Sequence, residues 1–168
     1  MTHPSAPRPA SASSLRVLTF ALAAAPVIVT VAVLFVLGVP SGSPDLLSVA
    51  CLGLVAVGAV MAETVGFVVP AIPAGGTYDP QHVANESVAT FQTAAIRRFV
   101  AIEAPFIVSL ALGFSFTESA WPVLVTVVPT VLLILLEIAP SRRNADRTAA
   151  RLEREGAPSY LHQGLGLA

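Results

Sequence analysis

Four long apolar stretches, separated by short polar segments, organise this chain of 168 residues. They lie at about 15–39, 46–69, 94–116 and 120–139. Each is close to the roughly 20 apolar residues that a helix needs to cross about 30 Å of hydrocarbon at 1.5 Å per residue. The pattern therefore predicts four membrane-spanning helices within residues 15–139.

The segments that flank and connect the apolar stretches are polar. The first 14 residues are rich in Pro, Ser and Ala, which predicts a disordered tail. Two connections are short enough to be tight turns. The predicted segments are a tail at 1–14, turns at 41–45 and 117–119, a polar loop at 70–93 and a second tail at 140–168.

Two of the polar segments contain helical signals. Asn85 is expected to cap an amphipathic helix from Glu86 to Arg98 that continues directly into the third span. The stretch from Arg142 to Glu155 alternates Arg with Asp and Glu, which is typical of a solvated helix.

The first span has an alternative interpretation as a signal peptide. Ala23, Ala24 and Ala25 resemble the small residues of a cleavage site. However, Pro26 follows immediately, and the apolar run continues well past the length of a signal-peptide core. The length of the run favours an uncleaved span.

Composition supports the membrane class. Hydrophobic residues make up 55% of the chain and charged residues only 11%, whereas a soluble domain carries about 25% charge. We therefore expect an all-α integral membrane four-helix bundle. The single Cys51 excludes an internal disulfide. The absence of Lys, together with abundant Ala, Val, Pro and Gly, suggests an actinobacterial source.

The basic residues predict the orientation of the bundle. All nine are arginines, and both short turns lack them. With four spans, every Arg-bearing segment falls on one side, which the positive-inside rule assigns to the cytoplasm. The sequence thus predicts a multi-pass protein of the plasma membrane with both termini cytoplasmic. The arginines are Arg8, Arg16, Arg97, Arg98, Arg142, Arg143, Arg147, Arg151 and Arg154.

The first and third spans resemble each other when they are shifted by 79 positions. Phe20, Ala25, Pro26, Ile28, Val29, Ala32 and Phe35 then match Phe99, Ala104, Pro105, Ile107, Val108, Ala111 and Phe114. Two tandem helical hairpins would produce this match, and so would chance similarity between two Ala/Val-rich segments. The aligned prolines favour duplication. Pro26, Pro105 and Pro129 are each expected to kink a span, because proline removes a backbone hydrogen bond.

Small residues recur in the second span. Gly53, Gly58, Ala62 and Gly66 lie at steps of four to five residues and predict one closely packed helix face. Ordinary Gly and Ala content explains the same pattern equally well.

Three glutamates stand inside the apolar stretches, where a carboxylate is costly and uncommon. Glu103 lies five residues beyond Arg98, Glu137 five before Arg142, and Glu63 six before Val69. These separations correspond to about 7.5–9 Å along a helix, so all three fall short of the bilayer centre at about 15 Å. We expect them to form one layer in the cytoplasmic third of the membrane.

Two hypotheses account for this glutamate layer. In the first, arginines at the cytoplasmic rim form ion pairs with the carboxylates and hold the bundle together. The expected partners are Arg16, Arg97, Arg98, Arg142 and Arg143. In the second, the carboxylates line a cytoplasm-facing pocket for protons or cations.

The stretch from Glu103 to Phe114, reading EAPFIVSLALGF, resembles the carboxylate-bearing helix of the ATP synthase c subunit. The preceding Arg97-Arg98 and the Gly-rich second span extend the resemblance over residues 50–114. The resemblance implies a proton-carrying role for Glu103. The chain departs from that family in lacking the alternating glycines and the Arg-Gln-Pro loop. The whole chain is also similar to small uncharacterised bacterial membrane proteins with an Arg–apolar–Glu third span, a similarity that implies no activity.

No zinc spacing, Walker loop, nucleophile elbow or redox Cys pair is present in the sequence. His3, His82 and His162 are scattered in polar segments and are expected to be solvated. We therefore expect no enzyme activity, cofactor, metal or nucleic-acid partner. The sequence favours a non-enzymatic structural or assembly component that contacts the lipid bilayer and forms a homo-oligomer or joins a larger membrane complex. The alternative is a proton- or cation-coupled transport component that uses the three glutamates.

Overall fold

The computed structural model describes residues 12–76, 79–117 and 119–167, and within them the chain is all-helical. Residues 1–11 of the predicted N-terminal tail, and Glu118 of the second turn, lie outside this range. The helices are α1 (Ala12–Leu37), α2 (Leu46–Thr64), α3 (Pro80–Leu112), α4 (Trp121–Glu137), α5 (Arg142–Leu152) and α6 (Leu161–Leu165). A π-helical turn, Gly113–Thr117, extends α3.

Three of these helices, α1, α2 and α3, are each long and apolar enough to cross a membrane. The fourth apolar helix, α4, has 17 residues and is followed by α5 after a bend of 59°. Together α4 and α5 reach the length of one further span, so the structure contains three or four candidate spans. These helices fit a membrane protein.

Helix α3 begins much earlier than the apolar stretch it contains. Asp79 accepts a hydrogen bond from the backbone N–H of Gln81 at 3.3 Å, and Pro80 occupies the first helical position. Proline is favoured there because its missing N–H would be unpaired anyway. The predicted continuity of the Glu86–Arg98 helix with the third span is confirmed, but Asp79 is the cap and the prediction of Asn85 was wrong.

The bundle is not uniform, because α1 packs mainly on α4 whereas α2, α3 and α4 all pack against one another. Buried apolar residues form three clusters along the bundle. The first surrounds Phe91 and Leu161, the second Ile102 and Ile134, and the third Phe106. The first cluster joins the early turns of α3 to α5, α6 and Val69. We use the name cap for the early turns of α3, the helices α5 and α6, and the connection 65–76.

Pro26, Pro105 and Pro129 lie inside the continuous helices α1, α3 and α4, and the kinks expected at them stay a prediction. The Thr30 hydroxyl donates to the Pro26 carbonyl at 2.7 Å, and the Ser109 hydroxyl donates to the Pro105 carbonyl at 2.8 Å. These pairs are equivalent in the predicted repeat. Thr126 makes the same bond to Pro122 at 2.8 Å outside that alignment, so duplication stays a prediction.

Helices α2 and α3 approach each other closely at Gly58. A Cβ at this position would lie 2.6 Å from the Ala101 carbonyl oxygen and 2.8 Å from the Pro105 ring. Pro105 has no N–H with which to bond the Ala101 carbonyl, four residues earlier. The glycine therefore lets α2 cover the carbonyl that the proline leaves without its helical partner. Gly53, by contrast, has no atom within 4 Å of its would-be Cβ.

We predict that Gly58→Ala destabilises the protein by about 1–3 kcal/mol, because the new methyl group overpacks the α2–α3 contact. The measurement is thermal unfolding of purified protein in lipid nanodiscs. Gly53→Ala is the matched control in the same helix. It should leave stability unchanged or raise it by up to about 1 kcal/mol, since Ala is the better helix former. Equal effects of the two substitutions would contradict the packing interpretation.

Candidate functional site

Two of the three glutamates in the apolar helices meet where α2 and α4 join the cap. Glu63 lies in the last turn of α2, Glu137 is the last residue of α4, and α5 places Arg143 and Arg147 against both. Arg143 lies 3.2 Å from Glu63 and 3.4 Å from Glu137. Arg147 approaches Glu63 with both terminal nitrogens, one of them at 3.0 Å, and lies 3.9 Å from Glu137. We call these four residues the Glu–Arg network.

The bend between α4 and α5 makes this network geometrically feasible. Ser141 caps α5 by accepting a hydrogen bond from the Asn144 backbone N–H at 3.3 Å. The Asn144 side chain in turn donates to the Leu136 carbonyl at 2.9 Å and to the Ala139 carbonyl at 3.0 Å. The first bond satisfies a carbonyl that the end of α4 leaves unpaired, because Pro140 has no N–H to donate to Leu136, and the Ala139 carbonyl also accepts from the Ser141 backbone N–H at 2.7 Å. Because Arg143 and Arg147 are four residues apart, they project from the same face of α5 toward the glutamates.

The side chains of the Glu–Arg network differ in how far they are exposed to solvent. The Glu137 side chain is only 5% exposed, whereas Glu63 and Arg147 are about one-third exposed, at 37% and 35%. The hydrogen bonds that Glu63 accepts, together with its charge, hold the pKa of Arg147 above its ordinary value. Two carboxylates are thus matched by two guanidinium groups, which offsets the cost of placing Glu137 in a buried position.

Arg98 stands beside the network without joining it. Its side chain is fully buried, and its guanidinium group lies 4.1 Å from the centre of the Phe67 ring. Arg147 lies over the same ring at 4.1 Å, so Phe67 contacts both cations. The Nε of Arg98 donates to the Ala94 carbonyl at 3.2 Å, while its two terminal nitrogens have no hydrogen-bond partner among the described residues. Cation–π contact therefore contributes to holding this charge.

Gly66 makes room for the buried Arg98. A Cβ at Gly66 would lie only 2.1 Å from the Arg98 Cγ. Of the predicted small-residue face in α2, Gly58 and Ala62 are buried and Gly66 contacts Arg98, whereas Gly53 is exposed.

Glu103 lies apart from the other two glutamates. It sits on α3, half-buried, and within residues 12–76, 79–117 and 119–167 its carboxylate makes no ion pair. One of its oxygens is buried without a hydrogen-bond partner there. The ion pairs therefore join Glu63 and Glu137 but do not include Glu103, and a common depth of the three glutamates stays a prediction. The distance of a residue along its helix predicts its depth. Its neighbours depend also on the side of the helix from which it projects, which that distance does not give.

The arginines predicted as ion-pair partners of the glutamates do not all form such pairs. Arg143 pairs as expected, and Arg97 instead donates to the Val68 carbonyl at 2.9 Å. Arg16 and Arg142 are exposed, and neither makes an ion pair in the described part of the chain. Arg147 was not among the predicted partners, although its spacing of four from Arg143 is a sequence signal that points to it.

In the described part of the chain, no three His, Cys, Asp or Glu side chains come together in a way that could hold a metal ion. Cys51 is buried. His82 lies 3.4 Å from Glu86, and His162 lies 3.1 Å from Asp146. The first pair is local to α3, the second joins α6 to α5, and both are partly exposed.

Comparison with known proteins found no protein-family model, curated protein or solved structure that matches this chain. The functional argument therefore rests on the geometry of the Glu–Arg network and of Glu103.

We predict that Glu63 and Arg147 stabilise the protein jointly. Glu63→Gln and Arg147→Gln, alone and combined, form a double-mutant cycle in which the coupling free energy is about 1 kcal/mol, because both side chains are partly exposed and screened. The measurement is denaturant or thermal unfolding in nanodiscs.

Arg151→Gln provides the control for this cycle, since Arg151 is exposed on the same helix. It should change stability by less than about 0.5 kcal/mol. A coupling free energy of zero between Glu63 and Arg147 would show that the network does not hold α5 in place.

Proposed function

We propose that this chain is a four-span protein of the plasma membrane with both termini in the cytoplasm, and that it serves as a non-enzymatic structural or assembly component. The observation that carries the proposal is the Glu–Arg network. Its carboxylates are matched by guanidinium groups supplied by the chain itself, and such pairing suits a fixed contact better than an exchange site. Lipid and further copies or other membrane proteins would be its partners.

The arrangement of the cap supports this topology. Arg97, Arg143 and Arg147 all lie where the spans meet the cap, and the positive-inside rule assigns that end to the cytoplasm. The bend after Glu137 turns α5 out of the direction of α4, as expected of a polar helix that leaves the membrane at its surface.

A proton- or cation-coupled transport component is the second candidate, and Glu103 favours it. Unlike Glu63 and Glu137, Glu103 makes no ion pair with any described residue, so its carboxylate is available to take up a proton or cation. In this second candidate function Glu103 alone, and not all three glutamates together, would take up the transported proton or cation.

The topology proposal predicts which positions react with a membrane-impermeant maleimide in intact cells. Ser43→Cys lies in the turn between α1 and α2 and should be labelled from outside. Glu86→Cys and Arg154→Cys in the cap should be labelled only after the cells are permeabilised. The wild-type chain is a suitable blank because Cys51 is buried. Labelling of Arg154→Cys in intact cells would contradict cytoplasmic termini.

The choice between structural and transport roles is tested by ion flux. The structural proposal predicts that proteoliposomes containing the purified protein show no proton or cation flux above protein-free liposomes. Extraction in mild detergent should yield particles larger than a monomer, and Arg147→Gln should shift them toward the monomer while Arg151→Gln does not. A flux that Glu103→Gln abolishes would establish the transport alternative instead.

A further inference from the structure

Arg98 is a buried cation that binds no carboxylate among the described residues. Its side chain is 0% exposed, and neither of its terminal nitrogens has a hydrogen-bond partner in the described part of the chain. The rings of Phe67 and Phe91 lie 4.1 and 5.7 Å from its guanidinium carbon. Cation–π contacts offset only part of the cost of burying a charge. The observed arrangement therefore leaves the hydrogen-bonding capacity of Arg98 largely unused.

The Glu137 carboxylate is incompletely bonded in the same part of the bundle. Its Oε1 lies 3.4 Å from Arg143, whereas its Oε2 lies 3.9 Å from Arg147 and has no hydrogen-bond partner among the described residues. Of the charges around Arg98, that of Glu137 interacts with it most strongly. A buried acceptor and a buried donor, each lacking a partner, thus lie near each other.

Arg147 competes with Arg98 for this carboxylate. Both guanidinium carbons lie 4.1 Å from the centre of the Phe67 ring, so the distance between the two cations is at most twice that value. Together with the Glu–Arg network, Arg98 makes a cluster of three guanidinium groups and two carboxylates. The excess positive charge is therefore on the arginine that is buried without a carboxylate.

The cations that compete for Glu137 belong to different parts of the molecule. Arg143 and Arg147 are both on α5, whereas Arg98 is on α3. Helix α5 contacts α3 and α6 far less extensively than α2, α3 and α4 contact one another. Segments with few contacts open locally at a lower cost in free energy than the core does. Departure of α5 would remove two cations from Glu137 and leave Arg98 beside it.

We propose that Arg98 is the second partner of Glu137 and that α5 is a latch with a closed and an open position. In the closed position, which the structure shows, Arg143 and Arg147 pair with Glu137. In the open position α5 moves away and the Glu137 carboxylate pairs with Arg98. Arg98 promotes opening, because the buried carboxylate then always has a cation beside it. The latch depends on the Glu–Arg network but not on the topology or on the structural or transport role proposed above.

The labelling rate of a buried thiol on α5 measures how often the latch opens. Thr148 is 0% exposed, so Thr148→Cys reacts with a water-soluble maleimide only when α5 leaves its closed position. The full chain is labelled in lipid nanodiscs, and the wild type is the blank because Cys51 is buried. We expect Arg98→Met to slow this labelling about tenfold or more, because opening then leaves Glu137 unpaired.

Variants at Arg98 and Glu137 separate an exchange of partners from general effects. In a Glu137→Gln background, Arg98→Met should change the labelling rate by no more than about threefold. Arg98→Gln is a second neutral replacement and should also slow labelling, whereas Arg98→Lys keeps the charge and should slow it less. Arg97→Met, at the adjacent exposed arginine, is the matched control and should not slow labelling. Thermal unfolding establishes that each variant is folded.

Two results would overturn the proposal. Labelling that Arg98→Met and Arg98→Gln speed up or leave unchanged would show that Arg98 only holds the cap closed through its contact with Phe67. Equal slowing by Arg98→Met in the presence and absence of the Glu137 carboxylate would show that opening relieves a buried charge without any exchange of partners. Either result leaves the topology and ion-flux experiments unaffected.

Discussion

The burial of the Glu137 carboxylate at the end of an apolar helix is the constraint on which the junction of spans and cap depends. A buried charge of this kind is stable only if cations and hydrogen-bond donors reach it. Arg143 and Arg147 reach it because α5 bends away from α4, and Ser141 and Asn144 fix that bend. The Glu–Arg network therefore adds polar contacts with α2 and α4 to the apolar cluster around Phe91 and Leu161 that holds the cap together.

The three glutamates of the apolar helices differ in whether they form ion pairs within the chain. Glu63 and Glu137 both form ion pairs with Arg143 and Arg147, as in a structural ion-pair network, although one Glu137 oxygen has no hydrogen-bond partner among the described residues. Glu103 makes no ion pair with any described residue, and one of its oxygens is buried without a hydrogen-bond partner there. Two ion-paired carboxylates and one carboxylate without an ion pair among the described residues suggest a division between holding the fold and contacting something outside it.

Much of the architecture followed from local patterns. The apolar stretches, the proline positions and the continuity of α3 were readable because each depends on neighbours along the chain. The grouping of the glutamates was not, because depth along a helix leaves its rotation undetermined. The same limit explains why Arg147 was missed and why Arg16 was expected as a partner. Asp79 displaced Asn85 as the cap because Pro80 fixes the start of the helix, and that signal was also present in the sequence.

The preference of α1 for α4 has a consequence for biogenesis. Membrane helices are generally inserted in chain order and associate afterwards. The first helix made here has its principal partner in the last apolar helix made, while α2 and α3 adjoin each other in both sequence and space. Because α4 ends 100 residues after α1, insertion in chain order would leave α1 without its principal partner in lipid until those residues had followed it. Another membrane component could therefore bind α1 during the whole time in which the rest of the bundle is synthesised.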